Sequence, residues 1–189
     1  MIYEYGNYYH LVNRGCNREL IFRDDSDYLE LIKRMKKSDH KSYVKLIAWC
    51  LMPNHYHLLV QQISEKSASR WLGFVFNGYS HYFNLKYERT GTIFESRVRT
   101  RLITDNIYLF RVIQYIHLNP VIAGMVSDPL DWDFSNYADW IGSTKSELTD
   151  YEFIDEFFES GEEYRKILKE VQEDKLLQQK FNESKIELK

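Results

Sequence analysis

An α+β fold, with a four-stranded antiparallel sheet, helices on one face and a helical C-terminal extension, is what this sequence predicts. The first observation is the alternation of period-two and period-3.6 apolar patterns, which gives strand, helix, strand, strand, helix, strand, helix. The second is a tight Met52-Pro53-Asn54 turn joining the middle two strands into a hairpin. That element order suits the ferredoxin-like split arrangement.

Residues 7 to 14 alternate as a strand, and Asp24 to Lys37 places Tyr28, Leu31, Ile32 and Met35 at helical spacing. Val44 to Leu51 and Tyr56 to Gln62 form the hairpin strands. Ser67 to Glu88 reads as a helix entered by a serine-rich cap and ended near Arg89-Thr90-Gly91. Ile93 to Leu102 reads as the fourth strand. Thr104-Asp105 then opens a helix whose apolar face carries Leu109, Val112, Ile113 and Ile116.

After Gly142-Ser143 the composition shifts, which divides the chain into a domain at 1–142 and an acidic extension at 143–189. Two capping-box spacings, Thr149 to Glu152 and Ser160 to Glu163, predict two helices there, packed at the edge of the core with the last ten residues frayed. The net charge of −3 conceals a division: residues 1–125 carry 17 basic and 11 acidic side chains, whereas 126–189 carry 8 and 17. A basic core suits a phosphate-bearing partner. No apolar run approaches the roughly 18 residues of a membrane span and no secretory signal opens the chain, so a cytoplasmic location is expected. Cys16 and Cys50 lack metal or redox spacing and are expected as reduced, buried or partly buried thiols.

The chemistry concentrates in two places. His55 and His57 flank Tyr56 on a strand, so both imidazoles point to one face and can share one metal ion. Tyr115 and Asn119 lie one turn apart on a helix and point together. A phenol beside an amide, opposite two histidines, suits metal-assisted attack on a phosphodiester. Pro120 disfavours helical geometry at Asn119, which places the pair in the last turn.

With these motifs in hand, the chain resembles the single-tyrosine HUH transposases, and within them the REP-associated tyrosine transposases. The matching pieces are Tyr9 to Gly15, Met52 to His57, Gly91 to Arg97, and Tyr115 to Gly124 followed by Asp131-Trp132. The resemblance implies a DNA-nicking and strand-joining enzyme with His55, His57 and Asn119 as metal ligands and Tyr115 as nucleophile. It also implies a 5′-phosphotyrosine intermediate and single-stranded or hairpin DNA as partner. Broader relatives often carry glutamine where Asn119 stands. Mixed nitrogen and oxygen donors suit Mg²⁺ or Mn²⁺. The protein is expected to act as a monomer or homodimer.

Around these motifs, strand alternation places Arg97, Arg99 and Arg101 on one face, a guanidinium row suited to phosphates, and Arg14 and Arg18 extend it. Asn13 and Asn54 are candidate readers of base edges. Tyr79 and Tyr82 are the rival nucleophiles among fifteen tyrosines. His10, His81 and His117 read as hydrogen-bonded structural residues, and His40 as exposed. Two other readings remain open: a non-cleaving nucleic-acid-binding regulator, and a metal-dependent hydrolase in which water attacks.

Overall fold

The computed structural model describes residues 3–65 and 68–173. Its elements are β1 (Tyr8–Arg14), α1 (Asp25–Lys37), β2 (Val44–Met52), β3 (His55–Gln62), α2 (Ala68–Lys86), β4 (Arg99–Ile103), α3 (Asn106–Ile122), α4 (Tyr137–Trp140), α5 (Tyr151–Phe157) and α6 (Gly161–Glu173). The four strands form one antiparallel sheet in the order β2-β3-β1-β4, the split arrangement that the element order predicts. The expected cap at Ser67 and the last ten residues lie outside the described residues.

Alternation along the strands sorts the side chains into two cores. Tyr9, Leu11, Tyr56, Leu58 and Val60 face α1 and α2, where they meet Leu31, Met35, Trp71, Val75 and Tyr79. On the other side Cys50, Met52 and Leu59 meet Leu109, Val112, Ile113 and Ile116 of α3. Thus α1 and α2 share a face as expected, but α3 covers the opposite one, which corrects the placement of every helix on one side. The reason is that β2 and β3 are apolar on both faces, and one helical layer would leave half of that surface in water. A register shift between Leu46 and Ala48 adds to this, turning Ile47 and Ala48 together toward α3.

The acidic C-terminal part of the chain contributes to the second core. Phe153, Ile154, Tyr164 and Leu168 of α5 and α6 are buried with the α3 residues. His117 joins them: its Nε2 lies 3.1 Å from Asn136 Oδ1 and its Nδ1 2.6 Å from the Tyr164 hydroxyl. Asn136 Nδ2 donates to the Ile47 carbonyl at 2.9 Å, which fixes the amide orientation. His117 therefore donates from Nε2 and accepts from Tyr164, a neutral imidazole with both nitrogens used.

Three local expectations change. Regular pairing of the fourth strand begins at Arg99, and residues 93–98 form a loop that meets β1 through the Gly15–Phe94 bridge. Helix α3 continues through Pro120 to Ile122, so Asn119 is in its last turn and Tyr115 one turn earlier. It ends where Gly124 adopts φ +69°, with Gly124 N–H bonded to the Val121 carbonyl and Met125 N–H to that of Pro120, a left-handed termination that glycine permits without strain. His40 is buried and His81 exposed, the reverse of expectation.

Burial lowers the His117 pKa to about 3, against an ordinary value of 6.5, with the Asn136 hydrogen bond opposing the shift. Between those values the unfolded chain binds a proton that the folded chain refuses, so this contribution is complete above pH 6.5 and lost as pH falls toward 3. His117→Gln should therefore flatten the fall of urea-unfolding stability between pH 6.5 and 5, by up to about 1.4 kcal/mol per pH unit. Equal slopes in the two proteins would show that His117 takes up its proton as readily in the folded chain as in the unfolded one.

Candidate active site

Where α3 crosses the sheet, the two sequence motifs meet. His55 and His57 point toward α3 because Tyr56 and Leu58 fill the opposite core, and their rings stand 5.0 Å apart at 89°. The Tyr115 ring meets His57 edge-on at 5.3 Å. One turn further, Asn119 comes close enough to His55 to favour its charged form. Tyr115 and Asn119 are 6% and 5% exposed, and His55 is half-buried.

The hairpin turn sets the state of His55. Its Nδ1 lies 2.7 Å from Asn54 Oδ1, while Asn54 Nδ2 faces the Arg18 carbonyl at 3.4 Å. An amide oxygen only accepts, so the His55 proton sits on Nδ1 and the Nε2 lone pair faces the cleft. The turn is itself docked: the Pro53 carbonyl accepts from Ile21 and Phe22, and that of Asn54 from Gly15. A side chain at Gly15 would begin 2.1 Å from the Glu19 carbonyl oxygen, so only glycine allows this approach.

Electrostatics favour neutral imidazoles. Burial lowers the His55 pKa to about 4, the Asn119 hydrogen bond opposing and Arg14 adding to the shift. His57 is pushed well below 6.5, first by burial and then by His55 and His10. Among the described residues, His57 Nε2 is buried without a hydrogen-bond partner. An orphaned imidazole nitrogen, a second lone pair from His55 and an amide fit a divalent ion with positions left for phosphate and water. No group of three or more His, Cys, Asp or Glu able to hold a metal is found among the described residues.

The rival tyrosines stand elsewhere. Tyr79 is buried in the core on the α1–α2 side and donates to the Ile21 carbonyl. Tyr82 reaches Asp27 at 3.3 Å, beside the buried Asp27–Lys86 ion pair that ties α1 to α2.

The arginines divide. Arg99 and Arg101 pair with Val12 and His10, on the His57 face. Arg101 contacts the Tyr108 hydroxyl at 3.1 Å. Arg97 precedes the strand and lines a groove on the α2 side with Asn13, Phe76 and Thr100, so the expected row of three is a pair. Arg14 pairs with His55 across the strands and grips Glu95 through Nε and Nη2. Arg99 approaches the same carboxylate at 3.8 Å. Hydrogen bonding from Arg14 lowers the Glu95 pKa, opposed by desolvation, with the charges of Arg14, Arg99 and Arg18 adding to it. Arg18 follows Asn17 in the turn after β1, both at positive φ.

Sequence reasoning missed the roles of four residues. Asn54 holds His55 instead of standing free for a base, and Asn13 is committed to Ser96 and Arg14. Glu95 has no signal of its own beyond lying in a motif. His10, taken as merely structural, sits 3.1 Å from His57 Nδ1; only the β1–β3 register reveals that.

The profile of the family described as IS200-like transposases matches residues 3–119. The chain belongs to that family. A solved REP-associated tyrosine transposase bound to a REP hairpin has the same fold, with a TM-score of 0.62 and 20% identity over 79% of this chain and 94% of that one. A candidate transposase from Deinococcus radiodurans R1 is more distant, with a TM-score of 0.43 and 13% identity over 65% and 93%. No curated protein sequence matches. Among the described residues no helix of this transposase-family chain is long and apolar enough to cross a membrane.

Glu95 neutralises arginines that face the cleft, so Glu95→Gln should raise the affinity of this face for phosphate. On phosphocellulose the variant should elute at higher salt than Glu152→Gln, which makes the same net-charge change beside Lys45. Elution of both variants together would show that only net charge matters.

Proposed function

We propose that this protein is a metal-dependent endonuclease and strand transferase acting on single-stranded or hairpin DNA, of the REP-associated kind. The observation that carries this reading is the convergence of Tyr115, Asn119, His55 and the buried, unpartnered Nε2 of His57 where α3 crosses the sheet. Family membership and a fold shared with a hairpin-bound relative support it.

In this reading His55, His57 and Asn119 hold Mg²⁺ or Mn²⁺. When bound there, such an ion supplies charge stabilisation at the phosphate. The Tyr115 oxygen forms a bond to phosphorus as the bond to the 3′ oxygen breaks; the phenol gives up its proton and the 3′ oxygen gains one. The product is a 5′-phosphotyrosine link and a free 3′-hydroxyl. One ester replaces another, so rejoining needs no nucleotide cofactor. Arg99 and Arg101, with Arg14 and Arg18 at the hairpin end, hold the DNA backbone, and Arg97 contacts it from the other side of β4.

The test is incubation with labelled single-stranded DNA from the flanks of its own gene, with Mn²⁺ or Mg²⁺. Wild type should yield a covalent adduct that maps to Tyr115. Tyr115→Phe, which keeps the ring packing, should bind DNA but form no adduct and release no 3′-hydroxyl product. Cutting by that variant would establish water as the nucleophile, and an adduct on Tyr79 or Tyr82 would move the site. His55→Ala and His57→Ala should each abolish divalent-dependent cutting while remaining folded, a loss of several kcal/mol in the transition state. Replacing Arg99 and Arg101 together should flatten the log-log salt dependence of binding by about 0.7 per lost phosphate contact. An unchanged slope would place the DNA elsewhere.

A further inference from the structure

His10 has no part in the chemistry above, yet it is the polar side chain against which His57 rests. Its Nε2 lies 3.1 Å from His57 Nδ1, the rings are stacked at 20° with centroids 5.2 Å apart, and the residues are 3% and 1% exposed. Strand pairing dictates the contact. Val12 stands directly opposite His57 and offers nothing polar, so the diagonal neighbour on the same face, His10, meets the ring.

A single proton lies between the two facing nitrogens, and its owner decides what His57 can do. On His57 Nδ1 it leaves the Nε2 lone pair open to the cleft. On His10 Nε2 it forces the His57 proton onto Nε2, where among the described residues that nitrogen has no acceptor. Protonating both rings would set two cations together in a buried site, with Arg101 paired across from His10. His55 is handled in the same way by an obligate acceptor, Asn54. We infer that His10 is a positioning residue that accepts the Nδ1 proton of His57 and so fixes both the tautomer and the ring orientation that present Nε2 beside His55, Asn119 and Tyr115. The inference rests on the reading of His57 as a metal ligand, and it adds the partner that makes His57 one.

Two measurements on the full chain test it. In metal-free protein, the ¹⁵N shifts of the His57 ring should show a protonated Nδ1 and a bare Nε2. In titrations with Mn²⁺ alone, His10→Leu should bind about 10- to 100-fold more weakly than wild type, and His10→Gln, whose carbonyl can accept the same proton, should recover most of that loss. Circular dichroism and thermal melting establish that each variant is folded; if the leucine variant is not, the ring shifts and the glutamine variant decide. A His57 proton on Nε2 in wild type, or Mn²⁺ binding by folded His10→Leu within about twofold of wild type, would overturn the role of His10. Absence of Mn²⁺ binding by wild type, or unchanged binding by His57→Ala, would instead overturn the metal reading, while the ring shifts still report on His10.

Discussion

Backbone pairing of β1 with β3 is the constraint on which the cleft depends. In its register Arg14 faces His55 and Val12 faces His57. Because side chains alternate with a period of two, a slip of one residue would turn Tyr8, His10, Val12 and Arg14 to the α1–α2 face and Tyr9 and Leu11 to the cleft. The apolar residues of the first core oppose that slip, since Tyr9 and Leu11 would leave a packed interior. Hydrophobic burial on one face of the sheet thus holds the polar geometry of the other.

The polar face carries its own cost. Several imidazoles lie in surroundings that disfavour charge, and the structure accommodates them as neutral rings whose nitrogens are matched to fixed donors and acceptors. His117 and His55 obey that rule fully enough for their tautomers to be read from neighbouring amides. His57 Nε2 breaks it. Among the described residues His40 Nδ1 is a second buried imidazole nitrogen without a partner, but the one that stands beside a phenol and an amide is that of His57, and it is the reason the cleft carries the functional reading.

Much of this was legible in the sequence because it depends on short-range periodicity. The hairpin, the common face of His55 and His57, and the one-turn spacing of Tyr115 and Asn119 are consequences of strand and helix geometry alone. What escaped depends on partners distant in the chain. Arg97 reads as part of an alternating row, but the chain at 93–98 follows the Gly15–Phe94 bridge and leaves the ladder until Arg99. Helix α3 passes Pro120, and Leu118, Asn119 and Pro120 are all buried, so packing outweighs the local preference of the residue before proline. His10 and Glu95 gain their meaning only from strands and loops that meet across dozens of residues.

The acidic part of the chain changes character in the same light. Predicted as two helices packed at the edge of the core, α5 and α6 bury Phe153, Ile154, Tyr164 and Leu168 in one cluster with the α3 residues. Tyr164 bonds His117, two residues from both Tyr115 and Asn119. The face of α3 that meets the histidines is therefore set from behind by the C-terminal helices and from in front by the sheet. A helix held on both sides can keep a phenol and an amide in one orientation without depending on intrinsic helix propensity, which a terminal proline would otherwise weaken. The acidic side chains of α5 and α6 at Glu152, Asp155, Glu156, Glu162, Glu163, Glu170 and Glu173 are exposed, while the arginines beside Glu95 lie at the β1–β4 side of the sheet.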